Sequence, residues 1–416
     1  MNLKKLGGIK KNKMKKSVIF LLVCIVVLSI YVPIFATEQI TINLWARAQD
    51  NPVLAKQRED VIKEFERENP NVRVNYSALP FTDLLAKLTI ATKAGNPPDI
   101  AHVPLELVQF VKGGYLRALN EFIDPADWID FTKPSREYST WDGQIYSLPA
   151  ENSVRLLFYN KALFAKAGLA GPPNTWEEFV LYAQKLTDPD SGTYGYVFDG
   201  TGQMTYNQLF SFIAQAGGSV LNEDWTKCVI NEVPAVSALQ LWTDLLYKYK
   251  AVPPTVAAHD WNQNVALFAA GKIGMFDGMS NFELTIRNIN PDIELGLAVM
   301  PKGVKRVCFG SNWNFMMFKT CQHPVEAYKL MHKLTSTEVQ KNWQGYLPTR
   351  VSAMTEVPKV IQDALDCSQA FEAPLILGQM IEAVSNAVSK SLSKEKSPQE
   401  ALDEAAKIID AALAKN

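Results

Sequence analysis

Cysteine is scarce, with five in 416 residues. Cys24 lies in an amino-terminal apolar run and follows Val23, a poor context for lipidation. Cys228, Cys308, Cys321 and Cys367 are spaced neither as a zinc site nor as a disulfide scaffold. Cys308 and Cys321 flank a strand-like stretch and could pair, but separate buried thiols are the plainer expectation. An excess of basic charge is also missing. Residues 1–36 carry seven lysines and no acid, so without them the formal net charge of −1 becomes −8. A mildly acidic chain argues against nucleic-acid binding. The sequence has no His-Glu-x-x-His, no phosphate loop and no Gly-x-Ser-x-Gly elbow. Ser391 to Lys394 has the Ser-x-x-Lys spacing of penicillin-binding enzymes, but it sits in a lysine-rich stretch and no Lys-Thr-Gly follows. There is no repeat at 20–50 residues and no low-complexity tract. No metal or cofactor is expected.

What is present begins with a targeting signal over residues 1–36. Lys4 to Lys16 is basic, Val18 to Tyr31 is apolar, and Ile34-Phe35-Ala36 resembles a cleavage site. The apolar run is shorter than the about 20 residues of a spanning helix, and no second membrane segment follows it. Export is therefore expected, with an uncleaved anchor as the alternative.

The next segment, "ITINLWA", alternates like a strand. In "NPVLAKQREDVIKEFERENP", Val53, Leu54, Val61, Ile62 and Phe65 share one helical face. "VRVNYSAL", "FTDLLAKLTIATK", "DIAHV" and "LELVQFVKGG" continue the alternation of strand and helix. This β-α-β-α-β-α opening predicts an α/β layer with a largely parallel sheet. Ligands of such sheets bind beyond the strand carboxyl ends, which singles out Trp45, Arg47, Phe81, His102 and Glu106.

"DGQIYSLPAENSVRLLFYNKALF" reads as a turn at Asp142-Gly143, a strand-like run stopping at Pro149, and a second run from Leu156 to Tyr159. Between the runs stand Glu151, Asn152 and Arg155. Further on, Thr175 and Glu178 predict a capping box, and Ser397-Pro398-Gln399-Glu400 opens a last helix. "IGMFDG", "IELGLAVMP" and "NWNFMMFK" look like short strands.

The ordered set "FERENPNVRVNY", "AGNPPDI", "GGYLRALNEFI", "DGQIYSLP", "LFYNKALFAKAGL", "GPPNTWEEFVLYAQKLT", "AGGSV", "ALQLWTDLL", "FAAGKIGMFDG" and "GYLPTR" resembles the carbohydrate-type extracellular solute-binding proteins of ABC importers, the maltose-binding-protein-like group. The resemblance covers nearly all of the chain after residue 36. It implies a two-lobed α/β fold, the type II periplasmic-binding-protein fold, with hinge crossings and ligand in the cleft between lobes. By that resemblance, "SLPAENSV" is the first crossing, with others near Met300-Pro301 and Leu334-Thr335. One lobe would be 37–149 plus 301–333, the other 150–300 plus 334–416.

The resemblance also implies a sugar or oligosaccharide ligand, an ABC permease as partner, and a monomer held in the periplasm or on the outer face of the cytoplasmic membrane. Sugars need aromatic faces for their C–H surfaces and charged or amide groups for oriented hydrogen bonds. The candidate ligand-binding residues are Trp45, Arg47, Phe81, His102, Glu106, Glu151, Asn152, Tyr206, Trp261, Asp277, Asn312, Trp313, Tyr346 and Arg350. For each, the competing reading is packing, capping or a structural ion pair. Arg350, for instance, could equally hold the carboxy-terminal lobe together through a carboxylate.

Two departures from the family pattern leave the particular sugar open. The family's frequent tryptophan near the carboxy-terminal helix is absent from "APLILGQMIEA", and Val103 stands where an aromatic is common. Three alternatives stay open: a non-sugar solute such as a glycerol phosphate or polyamine, a glycoside hydrolase pairing Glu151 with Asp277 or Glu106, and a pure interaction protein that no small ligand would stabilise.

Overall fold

A computed structural model describes residues 39–48, 52–104, 107–342, 346–369, 374 and 376–415. The targeting segment read at residues 1–36 lies outside the described residues.

The first strands form where apolar residues alternate. β1 (Ile40–Arg47) buries Ile42, Leu44 and Ala46 and turns the residues between them outward. It pairs in parallel with β2 (Val72–Leu79) on one side and β3 (Ile100–Val103) on the other. The helix Pro52–Glu68 connects β1 to β2 and packs Leu54, Ile62 and Phe65 inward. Val53, expected on that face, is exposed. The helix Phe81–Lys93 connects β2 to β3, and Gly95 with φ 76° follows its end, where a side chain would be strained.

Asp142 and Gly143 do form a turn. Both have positive φ, 49° and 72°, as a two-residue hairpin turn of the primed type requires. They join β4 (Thr140–Trp141) to β5 (Gln144–Ile145). The next strand differs from the two runs read in the sequence. β6 (Ser147–Asn160) is one continuous strand of 14 residues that does not stop at Pro149. Proline is tolerated because the pairing is irregular there. Asn314 faces Pro149 and Trp313 faces Glu151, so Ala150 is the extra residue of a bulge. The Pro149 carbonyl is not lost either, since it accepts from Thr349 Oγ1 at 2.9 Å.

β7 (Tyr194–Val197), β8 (Ile273–Met279), β9 (Leu295–Ala298), β10 (Cys308–Met317) and β11 (Ser368–Gln369) complete the strands. The main sheet runs β2-β1-β3-β10-β6-β8-β7, with β9 on β6 and β11 on β10. Its flanks are parallel as the βα alternation implies, but its middle is antiparallel, because β10 runs against both β3 and β6. That middle has no βα crossover in the sequence to announce it.

Two main groups of buried side chains lie along these strands. The larger core takes Val154, Leu156, Leu157 and Phe158 of β6 and Cys308 and Phe309 of β10, together with the carboxy-terminal helices Leu377–Leu392 and Pro398–Leu413. The smaller takes Leu148 and Ala150 of β6, Phe315 and Met317 of β10, and the helix Pro324–Leu334. A third group, Leu84, Leu88, Ala101, Val103 and Phe110, covers the other face of the first strands. β6 thus passes from the smaller core to the larger, and β10 passes back. Met300 packs with the larger core, so that return lies within β10, beyond Phe309. The last return lies between Leu334 of the smaller core and Leu347, which packs on the larger.

The helix caps are partly as read. Ser397 and Glu400 make a reciprocal capping box. Thr175 accepts from the Glu178 amide, but the Glu178 carboxylate takes its hydrogen bond from the Asn174 amide at 2.6 Å, one residue early. A box absent from the reading occurs at Asp260 and Gln263.

Candidate functional site

Glu151 stands on β6 opposite Trp313 on β10, where both strands leave the smaller core. Its side chain is 1% exposed. Arg58 reaches it from the first helix, with Nη2 donating to Oε1 at 2.6 Å. Arg47, the last residue of β1, places Nη2 3.7 Å from Oε2. His102 on β3 places Nε2 3.7 Å from Oε1. Arg58 Nη1 also donates to the Arg47 carbonyl at 3.1 Å, which ties the helix to the strand end.

Aromatic rings enclose this group. The Arg47 guanidinium lies 4.2 Å from the Trp313 ring centroid and 5.1 Å from that of Tyr346. It also donates to the Tyr346 hydroxyl. The His102 ring is 5.3 Å from Trp313 and 4.6 Å from Phe315. Burial, followed by the charges of Arg58 and Arg47, holds the His102 pKa well below its ordinary value. The imidazole is therefore neutral at pH 7. Its nitrogens make no hydrogen bond among the described residues. Burial pushes the Tyr346 phenol up, so it remains a hydroxyl. Among the described residues the cluster thus sets two guanidinium groups against one carboxylate. The Arg47 side chain, 16% exposed, is the cation with an edge to solvent. A planar cation stacked on an indole beside a phenol offers an apolar face and directed donors in one place.

Asp277 is not part of this group. It lies on β8 in the larger core, fully buried, with Arg155 Nη1 3.2 Å from Oδ2 and donating to its carbonyl at 2.9 Å. Tyr196 and Gln208 both donate to Oδ1. The network extends through Gln208, which accepts from the Asp199 amide at 2.7 Å, to Asn264, which donates to Asp199 Oδ1 at 2.7 Å. Burial raises the Asp199 pKa to about 7.

The remaining candidates are scattered. Asn152 anchors a crossing: its backbone exchanges both hydrogen bonds with Leu347, and Nδ2 donates to the Pro348 carbonyl at 3.0 Å. Asn312 lies opposite it and helps line a cavity of about 160 Å³ together with Thr132, Tyr138, Ser153 and Gln362. The Asn312 Nδ2 has no hydrogen-bond partner among the described residues. Trp261 stacks on Phe282 at 5.1 Å in a capped helix. Tyr206 is buried in the larger core, and Trp45 is half-buried against the third group of core side chains. Phe81 begins a helix, and its side chain lies outside the described residues, as does Glu106 altogether.

Arg350 is held by the smaller core's elements rather than by a carboxylate of the carboxy-terminal lobe. It bonds Asp127 through two nitrogens at 2.8 and 3.1 Å and Asp130 at 3.2 Å. Its Nε donates to the Thr335 carbonyl at 2.6 Å, and its guanidinium covers Phe131 at 4.1 Å. With all these bonds made internally, Arg350→Ala is expected to lower Tm by roughly 4–8 °C. Ligand affinity of the folded protein should change less than about threefold. Thermal unfolding and titration calorimetry on the same variant check both. An affinity loss without a Tm loss would return Arg350 to the ligand site.

Arg58 was absent from the sequence candidates, yet its signal was there. It lies with Leu54, Ile62 and Phe65 at spacings of four, four and three, a charge in the middle of an apolar stripe. A buried cation needs a partner, and Glu151 supplies it.

Among the described residues no helix is long and apolar enough to cross a membrane, and no group of histidine, cysteine or carboxylate side chains could hold a metal ion.

Comparison with known proteins places these features in context. The family model of bacterial extracellular solute-binding proteins matches residues 51–341. A binding protein of Brucella abortus is 28% identical over 376 residues, 86% of this chain and 90% of its own length. The mannitol-binding protein of Pseudomonas aeruginosa is 27% identical over 259 residues, 61% of this chain and 58% of its own length. The crystal structure of an ABC transporter solute-binding protein from Thermotoga lettingae, bound with α-D-tagatose, superposes with a TM-score of 0.78. That match has 27% identity and covers 90% of this chain and all of the other.

Proposed function

This chain belongs to the family of bacterial extracellular solute-binding proteins, and we propose that it captures a sugar or oligosaccharide between two lobes and delivers it to the permease of an ABC importer. The family is one of binding proteins, not enzymes. The observation that carries the ligand class is the stack of Arg47 between Trp313 and Tyr346, set over Glu151. Tryptophan and tyrosine faces suit the C–H surface of a sugar ring, and the guanidinium and phenol suit its hydroxyls. The tagatose-bound structure and the mannitol-binding relative support a hydroxyl-rich ligand.

The lobes in this reading follow the smaller and larger cores, close to those set out from the sequence but with the second crossing within β10, beyond Phe309, instead of near Met300-Pro301. Closure would rotate them about the stretches of β6 and β10 that join the cores. Glu151, fixed by Arg58, keeps the Arg47 side chain in place through the motion. Arg47, His102, Glu151, Trp313 and Tyr346 form the ligand site in this proposal. Phe81 and Glu106 join them on the strength of their positions after β2 and β3. The protein acts as a monomer in the periplasm or on the outer face of the cytoplasmic membrane.

The hydrolase alternative receives no support from the carboxylates. Glu151 and Asp277 are each closed into a separate buried ion pair, Glu151 with Arg58 and Asp277 with Arg155. Neither is free to protonate or attack a glycosidic bond. A sugar alcohol is the second reading, favoured by the mannitol-binding relative.

The test is a thermal-shift screen against mono- and oligosaccharides, polyols, glycerol phosphates and polyamines, with product analysis on every hit. A dose-dependent rise with one sugar class, recovered intact, is the expected result. At a hundredfold excess over Kd the ligand stabilises by roughly 2.7 kcal/mol. A response to polyamines alone, or a sugar cleaved on incubation, would overturn the reading. Against the sugar so found, Trp313→Ala should weaken binding roughly 10- to 100-fold by calorimetry.

A further inference from the structure

Cys308 and Cys367, 59 residues apart in sequence, lie with their sulfurs 3.5 Å from each other, although both are free thiols. The backbone already holds them side by side. β10 and β11 run parallel with Cys308 opposite Ser368, and the Cys308 amide donates to the Cys367 carbonyl at 3.1 Å. We propose that these two cysteines form a disulfide in the exported protein, one that closes residues 308–367 into a loop where that segment leaves and re-enters the larger core. The proposal rests on export to an oxidising compartment, the part of the functional reading it shares.

Geometry permits the bond. A disulfide needs sulfurs about 2.05 Å apart. The remaining approach of about 1.5 Å falls to Cys367, the half-buried one of the two, since Cys308 is fully buried. The chemistry has an evident order. The adjoining Cys308 thiol lowers the Cys367 pKa, helped by Arg306. The bond to Cys367 and burial raise that of Cys308. The Cys367 thiolate therefore attacks first, on a disulfide-bearing oxidant such as oxidised glutathione, and releases one glutathione thiolate. Cys308 then attacks the mixed disulfide at the Cys367 sulfur. Its proton leaves, and the second glutathione departs as a thiol. Two cysteine thiols are oxidised and one glutathione disulfide is reduced to two thiols.

Cys321, which the sequence offered as partner for Cys308, sits in the smaller core and cannot compete. Between Cys308 and Cys367 the chain supplies that core with Phe315, Met317, Cys321, Leu330 and Leu334. The cross-link would staple the root of this excursion. Because Cys308 lies in the larger core and Cys367 packs against the same core, the bond leaves passage between the cores free. It should stabilise the fold without altering ligand affinity.

The full chain is equilibrated with oxidised glutathione, denatured, alkylated with iodoacetamide, digested and mapped by mass spectrometry. The expected result is one linked peptide pair, Cys308 to Cys367, lighter by two hydrogens, with Cys24, Cys228 and Cys321 alkylated. Dithiothreitol should then lower Tm by roughly 5–10 °C. Cys367→Ser, at the half-exposed position, should fold and lose the response to dithiothreitol. Alkylation of Cys308 and Cys367 after oxidation, or a bond between any other pair, overturns the proposal. No sugar enters the experiment, so its failure is separate from any failure of the ligand screen.

Discussion

Glu151→Ala is expected to cost roughly 3–5 kcal/mol of stability, because it removes the buried carboxylate that pairs with a fully buried guanidinium. Arg58 and Glu151 are 0% and 1% exposed, so water does not replace the lost partner. The Arg58 bond to the Arg47 carbonyl remains, but a carbonyl dipole does not neutralise a charge. Tm should fall by roughly 6–12 °C. Removing both charges at once is a different experiment. Arg58→Met with Glu151→Met exchanges a buried pair for apolar side chains, and such exchanges are often neutral. The double variant should therefore be more stable than Glu151→Ala, by about 2 kcal/mol or more in urea unfolding. Arg47 loses its anchor in both, so both should lose the thermal response to the sugar identified by the screen. A double variant that still binds the sugar normally would remove Glu151 from the site. A Glu151→Ala protein as stable as the parent would show that the buried pair is not closed in solution.

The same cluster shows how far a sequence can be read. The opening βα alternation was legible because β1 to β3 and their helices follow the periods of two and 3.6 residues. Glu151 was legible as a carboxylate between two apolar segments, and Arg47 and His102 as residues at strand ends. Their convergence was not legible. It depends on β10 lying antiparallel between β3 and β6, far along the chain from both, and nothing in the periodicity reports a partner strand. Pro149 misled for a related reason. A proline ends a strand by default, and only the bulge opposite Trp313 and Asn314 makes it tolerable. Asp277 and Arg350 have the residue types of a binding site, yet the structure closes both into internal ion pairs. A side chain's type gives its capacity to bind; its neighbours decide whether that capacity is already used.

Asp199 should give the protein a stability that falls as pH rises from about 4 to about 7. Its carboxyl is raised from 3.8 to about 7, by burial above all, with Asp277 and Asp260 adding to the rise and Arg155 and the Asn264 hydrogen bond opposing it. A carboxyl with a folded pKa above its unfolded one holds its proton more tightly in the native state. Its contribution is complete below the unfolded value and is lost as pH climbs through the folded one. A shift of that size is worth on the order of 4 kcal/mol. His102 works in the opposite direction. Its pKa is depressed, so its contribution is present above about 6.5 and is lost as the solution is acidified. Between pH 4 and 6.5 the two oppose each other, and the parent protein should show a shallow profile there. Asp199→Asn keeps the shape and removes the titration, so only the histidine's slope should remain. The variant should lose stability on acidification from pH 6.5 to 5 more steeply than the parent. It should also gain on the parent between pH 5 and pH 8, by about 2–3 kcal/mol, the part of the shift that lies above pH 5. Urea unfolding of both proteins at pH 5, 6.5 and 8 measures that difference. A difference that stays constant across the three would mean that Asp199 is ionised throughout, and that the network through Gln208 and Asn264 is open to water.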